Sequence, residues 1–465
     1  MLQPTVVQEK QMAVLSFLDR DRSIAHAGYS RWLVPPAALA IHLCIGQAYA
    51  FSVFKIPLTQ VLGITRSIPG DWTQPQLAWI FSLAIVILGL SAATFGKWLE
   101  GAGPRKAMFA SALCFAGGFF VSALGVEMHA LWLIYLGYGV IGGCGLGLGY
   151  ISPVKTLITW FPDRPGMATG MAIMGFGGGA FIASPLSVWL MAHFASATDV
   201  GVAPTFVVMG IIYLCFMLIG AAIVRVPAKG WAPAGYVAPI SPQKLITNEH
   251  VHVDQALKTP QFYLLWWVLC LNVTAGIGVL GQASAMSQEM FPGQITAVAA
   301  AGFVGLLSLF NMAGRIIWAS TSDYIGRRNT YMVFFLLGLV LYALVPTTAR
   351  MGSVALFVLC YALILSMYGG GFATIPAYLK DIFGTRYVGA IHGRLLTAWS
   401  VAGVLGPVLV NYIRQYQIDH GVSKADAYTL TMYIMAGLLF VGFLCNLMMH
   451  PVGEHHHMSP QEAEV

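Results

Sequence analysis

EGAGPR (residues 100–105) and DYIGRR (residues 323–328) are one phrase written twice. Each holds an acid, a glycine three residues on and an arginine two beyond that. The spacing is 323 − 100 = 223 residues, and it also carries Pro153 to Pro376, Gly166 to Gly389 and Gly170 to Gly393. One offset kept across such distant landmarks marks an internal duplication.

The duplicated unit is a set of membrane-crossing segments. Apolar residues make up 58% of the 465 and charged ones 9%, and the mean hydropathy is +0.74. A soluble domain has no use for so much apolar sequence. Twelve apolar stretches read as helices that cross a hydrocarbon core of about 30 Å: 33–55, 76–96, 107–126, 131–153, 166–191, 204–224, 260–284, 295–320, 330–347, 353–376, 389–413 and 428–449. The expected fold is an all-α membrane protein of two six-helix bundles, 33–224 and 260–449. Between them lies a cytoplasmic linker, 225–259, and outside them a segment 1–32 and a tail 450–465, also cytoplasmic. Parallel six-helix halves with a site between them form a transporter architecture.

Orientation follows from lysine and arginine. With both termini inside, 17 of the 24 basic residues fall in inner segments, Lys10 and Lys244 among them, and 5 in outer ones; the other two, Arg315 and Arg394, fall in spans. The net charge of +6 therefore reflects topology and is no sign of nucleic acid. The seven cysteines all lie in apolar runs without a CxxC pair and read as small buried hydrophobes. The first 32 residues lack the apolar core and cleavage site of a removable signal peptide. His455, His456 and His457 read as a solvated tail, a weak metal patch being the alternative.

The acid and arginine of each repeated turn, Glu100 with Arg105 and Asp323 with Arg328, are expected to bridge neighbouring helices as a conformational latch. The competing assignment is a pair of ordinary basic inner loops. Gly139, Gly143 and Gly147 share a helix face, as do Gly145 and Gly149, and small residues let helices approach closely. Neither GCGLGLG nor GFGGGA fits GxGxxG, and no strand precedes them.

Arg315 lies in the run 297–320, which contains no acid. A charge at membrane depth is costly, rare and normally turned to a cavity or a ligand. Its twin position, 315 − 223 = 92, is Ala92, so the duplicated fold does not require it. A guanidinium fork matches a carboxylate with two parallel bonds. Asn311, one turn earlier, shares its face. The competing assignment is an arginine that snorkels inward or bonds backbone carbonyls.

Several stretches resemble a known family. GKWLEGAGPRK (96–106) is similar to the loop signature of the major facilitator superfamily, with Glu100 in the usual aspartate place. IGQAYAFSVF (45–54), GLGLGYISPVKTLITWFPDRPGMATG (145–170), YGGGFATIPAYLKDIFGT (368–385) and GRLLTAWSVAGVLGP (393–407) resemble the oxalate/formate antiporter family. The related monocarboxylate transporters share the pairing of a polar residue four before an arginine, here Asn311 and Arg315. The resemblance implies carboxylate binding at Arg315, with Tyr150, Tyr368 and Trp399 as further contacts. Gln47 and Tyr49, in mid-span 1, are weaker candidates.

The oxalate carriers of that family place a lysine in span 11, where this chain has Trp399. One cation cannot neutralise two charges, and an unpaired buried charge is expensive. The expected cargo is therefore a small monocarboxylate of the lactate, pyruvate or formate type, carried by anion exchange or proton symport, with a dicarboxylate antiporter as the alternative. Arg394 would be a second cation if it pointed inward. The notable absence is acids in the spans, which leaves His42 and His392 as the groups able to titrate. No nucleophile–base pair, metal spacing or cofactor motif marks an enzyme. A carboxylate sensor is the remaining alternative, but the linker and tails leave no room for an output domain. The expected partners are a small carboxylate and the lipid bilayer, the expected state a monomer, and the expected location a bacterial cytoplasmic (inner) membrane.

Overall fold

The computed structural model describes residues 16–237 and 245–459, with no account of the side chains of 297, 298 and 301. Lys10 and Lys244 thus lie outside the described residues. Among those residues, twelve helices are long and apolar enough to cross a membrane. They are α1 Arg31–Leu58, α2 Gln74–Ala102, α3 Pro104–Glu127, α4 Leu131–Trp160, α5 Pro165–Phe194 and α6 Val202–Ile223 in the first half. In the second they are α7 Pro260–Leu280, α8 Ala297–Ile325, α9 Arg327–Arg350, α10 Val354–Phe383, α11 Val388–Asp419 and α12 Asp426–Leu447.

The helices run past the apolar stretches at one end. α4 continues to Trp160 and α10 to Phe383, so the last turns take in Lys155, Lys380 and Asp381. The expectation of spans without acids is corrected to that extent: Glu100, Asp323 and Asp381 sit in the closing turns of α2, α8 and α10, Glu127 and Asp419 end α3 and α11, and Asp426 opens α12. Proline at the first helical position starts α3, α5 and α7, where its missing N–H costs nothing.

The repeated turns explain their glycines. Gly103 and Gly326 hold φ of 86° and 87° with ψ of 163° and 150°, a region open essentially to glycine alone. These turns fold α2 against α3 and α8 against α9 within one residue.

Within each half the helices pack on one another, and two seams join the halves: α5 against α8 and α2 against α11. They are twins under the 223 offset. Both are tight. A Cβ on Gly170 would stand 2.8 Å from the Arg315 carbonyl oxygen, and one on Gly96 would stand 2.9 Å from Ala390 Cα. Ser400 on α11 donates to the carbonyls of Ile85 (3.2 Å) and Val86 (3.1 Å) on α2.

Three helices depart from α geometry, α1 and α11 beside the interface and α4 within the first half. α1 is α-helical over Val34–Ile45 and tightens to 3₁₀ turns over Gly46–Phe54. α4 widens to a π-helix over Tyr135–Gly142. α11 is interrupted at Leu396, between Val388–Leu395 and Thr397–Asp419. Such irregular stretches often mark functional regions.

Candidate substrate site and the seams that enclose it

Arg315 projects from α8 into the contact between the halves and is fully buried. Its Nε donates to Asn311 Oδ1 (3.2 Å) on its own helix, and its Nη1 donates to the Ile173 carbonyl (3.2 Å) on α5, across the seam. Nη2 has no partner among the described residues. One N–H group of Arg315 thus meets a backbone carbonyl of the other half. The side chain has room because α5 carries glycine opposite it; a Cβ on Gly177 would stand 3.0 Å from Arg315 Nε.

Aromatic rings from both halves surround the guanidinium. Its central carbon lies 5.4 Å from the Phe372 ring and 5.8 Å from that of Phe176, within cation–π range. Trp399 of α11 contacts Phe372 at 4.5 Å, Phe176 at 5.3 Å and Tyr150 at 5.4 Å between ring centres. Tyr49 meets Phe176 at 5.1 Å, and its hydroxyl lies 3.2 Å from that of Tyr368, tying α1 to α10. The Tyr150 hydroxyl and Trp399 Nε1 have no hydrogen-bond partner among the described residues. The structure thus brings together Arg315, Asn311, Tyr49, Tyr150, Tyr368 and Trp399. Phe176 and Phe372 escaped the sequence reading. The offset held a signal for the first, since 176 + 223 = 399 makes Phe176 the twin of Trp399.

Gln47 stands apart. It is buried, but its Oε1 accepts from Tyr138 (2.9 Å) in the π-helical stretch of α4. His42 and His392 flank Tyr150, at 5.4 Å and 5.8 Å between ring centres. Arg394 is no second cation for the cage. Its Nη1 donates to the Val253 carbonyl (3.1 Å) and its Nη2 pairs with Asp254 (2.7 Å) in the linker, because α11 turns that side chain outward. Asp254 also pairs with Lys97 of α2 (3.0 Å). The hydrogen bonds from Arg394 and Lys97 hold its carboxyl down to about 2.

The latch is built differently from expectation: neither arginine meets its acid. Glu100 accepts from the Ala390 N–H (3.2 Å) at the start of α11 and pairs with Lys155 (3.0 Å). Asp323 accepts from the N–H groups of Gly166 (2.8 Å) and Met167 (2.9 Å) at the start of α5 and pairs with Arg327 (2.5 Å). Arg105 donates to the Val224 carbonyl (3.3 Å) at the end of α6, and Arg328 to that of Leu447 (2.5 Å) at the end of α12. Even these acceptors obey the offset, 447 − 224 = 223. The physical reason is the polarity of helix ends. Free N–H groups at an N-terminus attract anions, and free carbonyls at a C-terminus attract cations. Each turn therefore sends its acid across a seam and its arginine back into its own half.

Arg327 reaches on to Asp381 (3.2 Å), and Lys155 donates to the carbonyls of Thr385 (2.7 Å) and Arg386 (2.5 Å) in the α10–α11 turn. Both seams are therefore closed at this end of the molecule.

The family model of the Major Facilitator Superfamily matches residues 37–407 and 316–464. The chain belongs to the major facilitator superfamily. It is a transporter of that superfamily and an integral membrane protein, not an enzyme. The oxalate:formate antiporter of Oxalobacter formigenes is 29% identical over 94% of this chain and 96% of its own length. Apicoplast pyruvate carrier 1 of Toxoplasma gondii is 27% identical, over 76% and 78%. Monocarboxylate transporter 14 of Mus musculus is 21% identical, over 89% and 88%. Among solved structures, the E. coli fucose:proton symporter superposes with a TM-score of 0.64 at 15% identity, covering 90% of this chain and 99% of its own. A bacterial homologue of the iron transporter ferroportin gives 0.64 at 14%, over 89% and 98%.

Proposed function

We propose that this facilitator carries small monocarboxylates of the lactate, pyruvate or formate type by alternating access, with Arg315 as the carboxylate ligand. The observation that carries this reading is a buried guanidinium without a carboxylate partner, one N–H group open, in an aromatic cage drawn from both halves. An unpaired buried charge persists where function supplies its counter-charge. Tyr150 and Tyr368 would donate to the second carboxylate oxygen or to an α-oxygen. Phe176, Phe372 and Trp399 would wall the apolar end. Names among the relatives (an oxalate:formate antiporter, a pyruvate carrier, a monocarboxylate transporter) support a carboxylate cargo.

The closed seams describe one state of the cycle. The basic residues around them support a cytoplasmic reading of that end, under which this is a state shut toward the cytoplasm, with the linker and both termini on that side. A bacterial inner membrane, a working monomer and the six-plus-six division at 225–259 complete the reading. The test is uptake of labelled pyruvate, lactate and formate into liposomes holding the purified protein, with and without the same acid inside. Saturable uptake of at least one acid supports the reading, and none overturns it.

A further inference from the structure

With Arg394 bound to Asp254, a dicarboxylate would have to find its second positive charge elsewhere. Two imidazoles stand next to the cage. His42 of α1 and His392 of α11 are buried, at 0% and 1% exposure, and come from opposite halves to the ring of Tyr150. His42 Nδ1 lies 3.3 Å from the Ala38 carbonyl of its own helix. His42 Nε2, both nitrogens of His392 and the Tyr150 hydroxyl have no partner among the described residues. Buried polar atoms are nearly always satisfied, so a buried imidazole with both nitrogens open, His392, set against the same tyrosine as His42, calls for a ligand.

The charges facing the pair narrow what that ligand is. From α8 comes Arg315, whose guanidinium lies 5.8 Å from the Phe176 ring that also packs on Tyr150. From α4 come Tyr150 and, nearer the cytoplasmic end, Lys155. Lys155 is neutralised by Glu100 of α2, whose carboxylate caps α11 two residues before His392. Lys380 and Asp381 sit paired in the last turn of α10. From α5, Gly175 packs against His42 and brings no charge; from α6, Tyr213 stands beside Cys44 of α1. Among the described residues, no carboxylate makes a hydrogen bond or ion pair with either histidine. A proton on the pair therefore adds a second positive charge to the buried surroundings of Arg315, an arrangement that an anion of two charges balances.

We propose that His42 and His392 form a proton site that fills together with the second negative charge of a dicarboxylate. The carrier then takes a monoanion on Arg315 alone, and a dianion as dianion plus one proton. In both loaded forms the site carries no net charge. The proton is drawn from the water on the side of loading and returned on the side of release. This rests on the carboxylate reading of Arg315. By linkage, proton and dianion strengthen one another's binding equally.

Calorimetry on the purified full-length protein tests it, with oxalate as the dianion and pyruvate as the monoanion, both fully ionised between about pH 5.5 and about pH 8. One linked proton makes oxalate affinity rise about tenfold for each unit of falling pH. Pyruvate affinity should change less than about threefold across the range. Buffers of different ionisation enthalpy should report one proton taken up with oxalate and none with pyruvate. His42→Gln/His392→Gln should flatten the oxalate slope, and at least one single variant should do so too; thermal unfolding checks that each is folded. The proposal is overturned by zero proton uptake with oxalate, by equal slopes for both acids, by failure of oxalate to bind where pyruvate binds, or by a slope that survives in the double variant. If neither acid binds, the carboxylate reading itself falls. The proton count on the unaltered protein decides the matter even where a variant does not fold.

Discussion

Replacing Asp323 with asparagine should open the α5–α8 seam at the end that carries the repeated turns. The aspartate accepts two backbone N–H bonds at the start of α5 and meets Arg327, with 11% of its side chain exposed. Charge-assisted bonds are worth about 1.5–3 kcal/mol each, against about 1 kcal/mol for neutral ones. Asparagine keeps one acceptor oxygen and loses the charge. The loss is therefore at least about 2 kcal/mol, which shifts the closed-to-open ratio at least about thirtyfold. Arg327 retains Asp381, so its charge is not left alone and the variant should fold. Spin labels at Arg164→Cys and Tyr324→Cys, both on exposed positions flanking the seam, read the opening as a longer distance in the asparagine background. Glu100→Gln should do less, because Glu100 makes one backbone bond where Asp323 makes two. An unchanged distance distribution in Asp323→Asn, or a larger effect from Glu100→Gln, would refute the assignment of these acids to helix N-termini.

Gly170→Ala tests the same seam from the other side. Its new Cβ would sit 2.8 Å from the Arg315 carbonyl, and overpacking of about 1–3 kcal/mol should lengthen the same spin-label distance. Trp399→Lys places a cation among the cage rings. The ratio of oxalate to pyruvate affinity should rise at least about tenfold, and an unchanged ratio would remove Trp399 from the site. Asp254 gives a pH prediction. Its folded pKa lies below the unfolded value of about 3.9, so its strap on Lys97 and Arg394 is complete above that value and is lost as pH falls through about 2. Hydrogen exchange of linker residues 245–259 should therefore be no faster at pH 5 than at pH 8 beyond the intrinsic rate, and release within that window would contradict the pairing.

Composition and one repeated offset were enough for the twelve helices, because hydropathy reports directly which segments lipid accepts. The helix ends were less legible. Lys155, Lys380 and Asp381 look like loop residues by composition, yet they form helical turns: Lys155 pairs with Glu100 and Asp381 with Arg327 on other helices, and Lys380 with its neighbour Asp381. Arg315 stood out because a charge in an apolar run is conspicuous. Phe176 and Phe372 did not, since a phenylalanine in an apolar run carries no mark of which way it faces. Arg394 was misjudged as a cavity candidate because its partner, Asp254, lies 140 residues away in sequence. The division of labour in the repeated turns was hidden for the same reason: helix termini that receive the acids and arginines are fixed by packing between distant segments.

The central claim is that the open guanidinium of Arg315 holds the carboxylate. Pyruvate binding to Arg315→Ala, measured by calorimetry beside thermal unfolding without ligand, tests it most directly. Truncating one partner of a buried charge pair costs about 2–5 kcal/mol, so affinity should fall at least about thirtyfold. The ligand-free variant should be as stable as the unaltered protein or more so, because an uncompensated buried charge has gone. Binding at the unaltered affinity, or collapse of the ligand-free fold, would contradict the claim and make Arg315 a structural strut between α8 and α5.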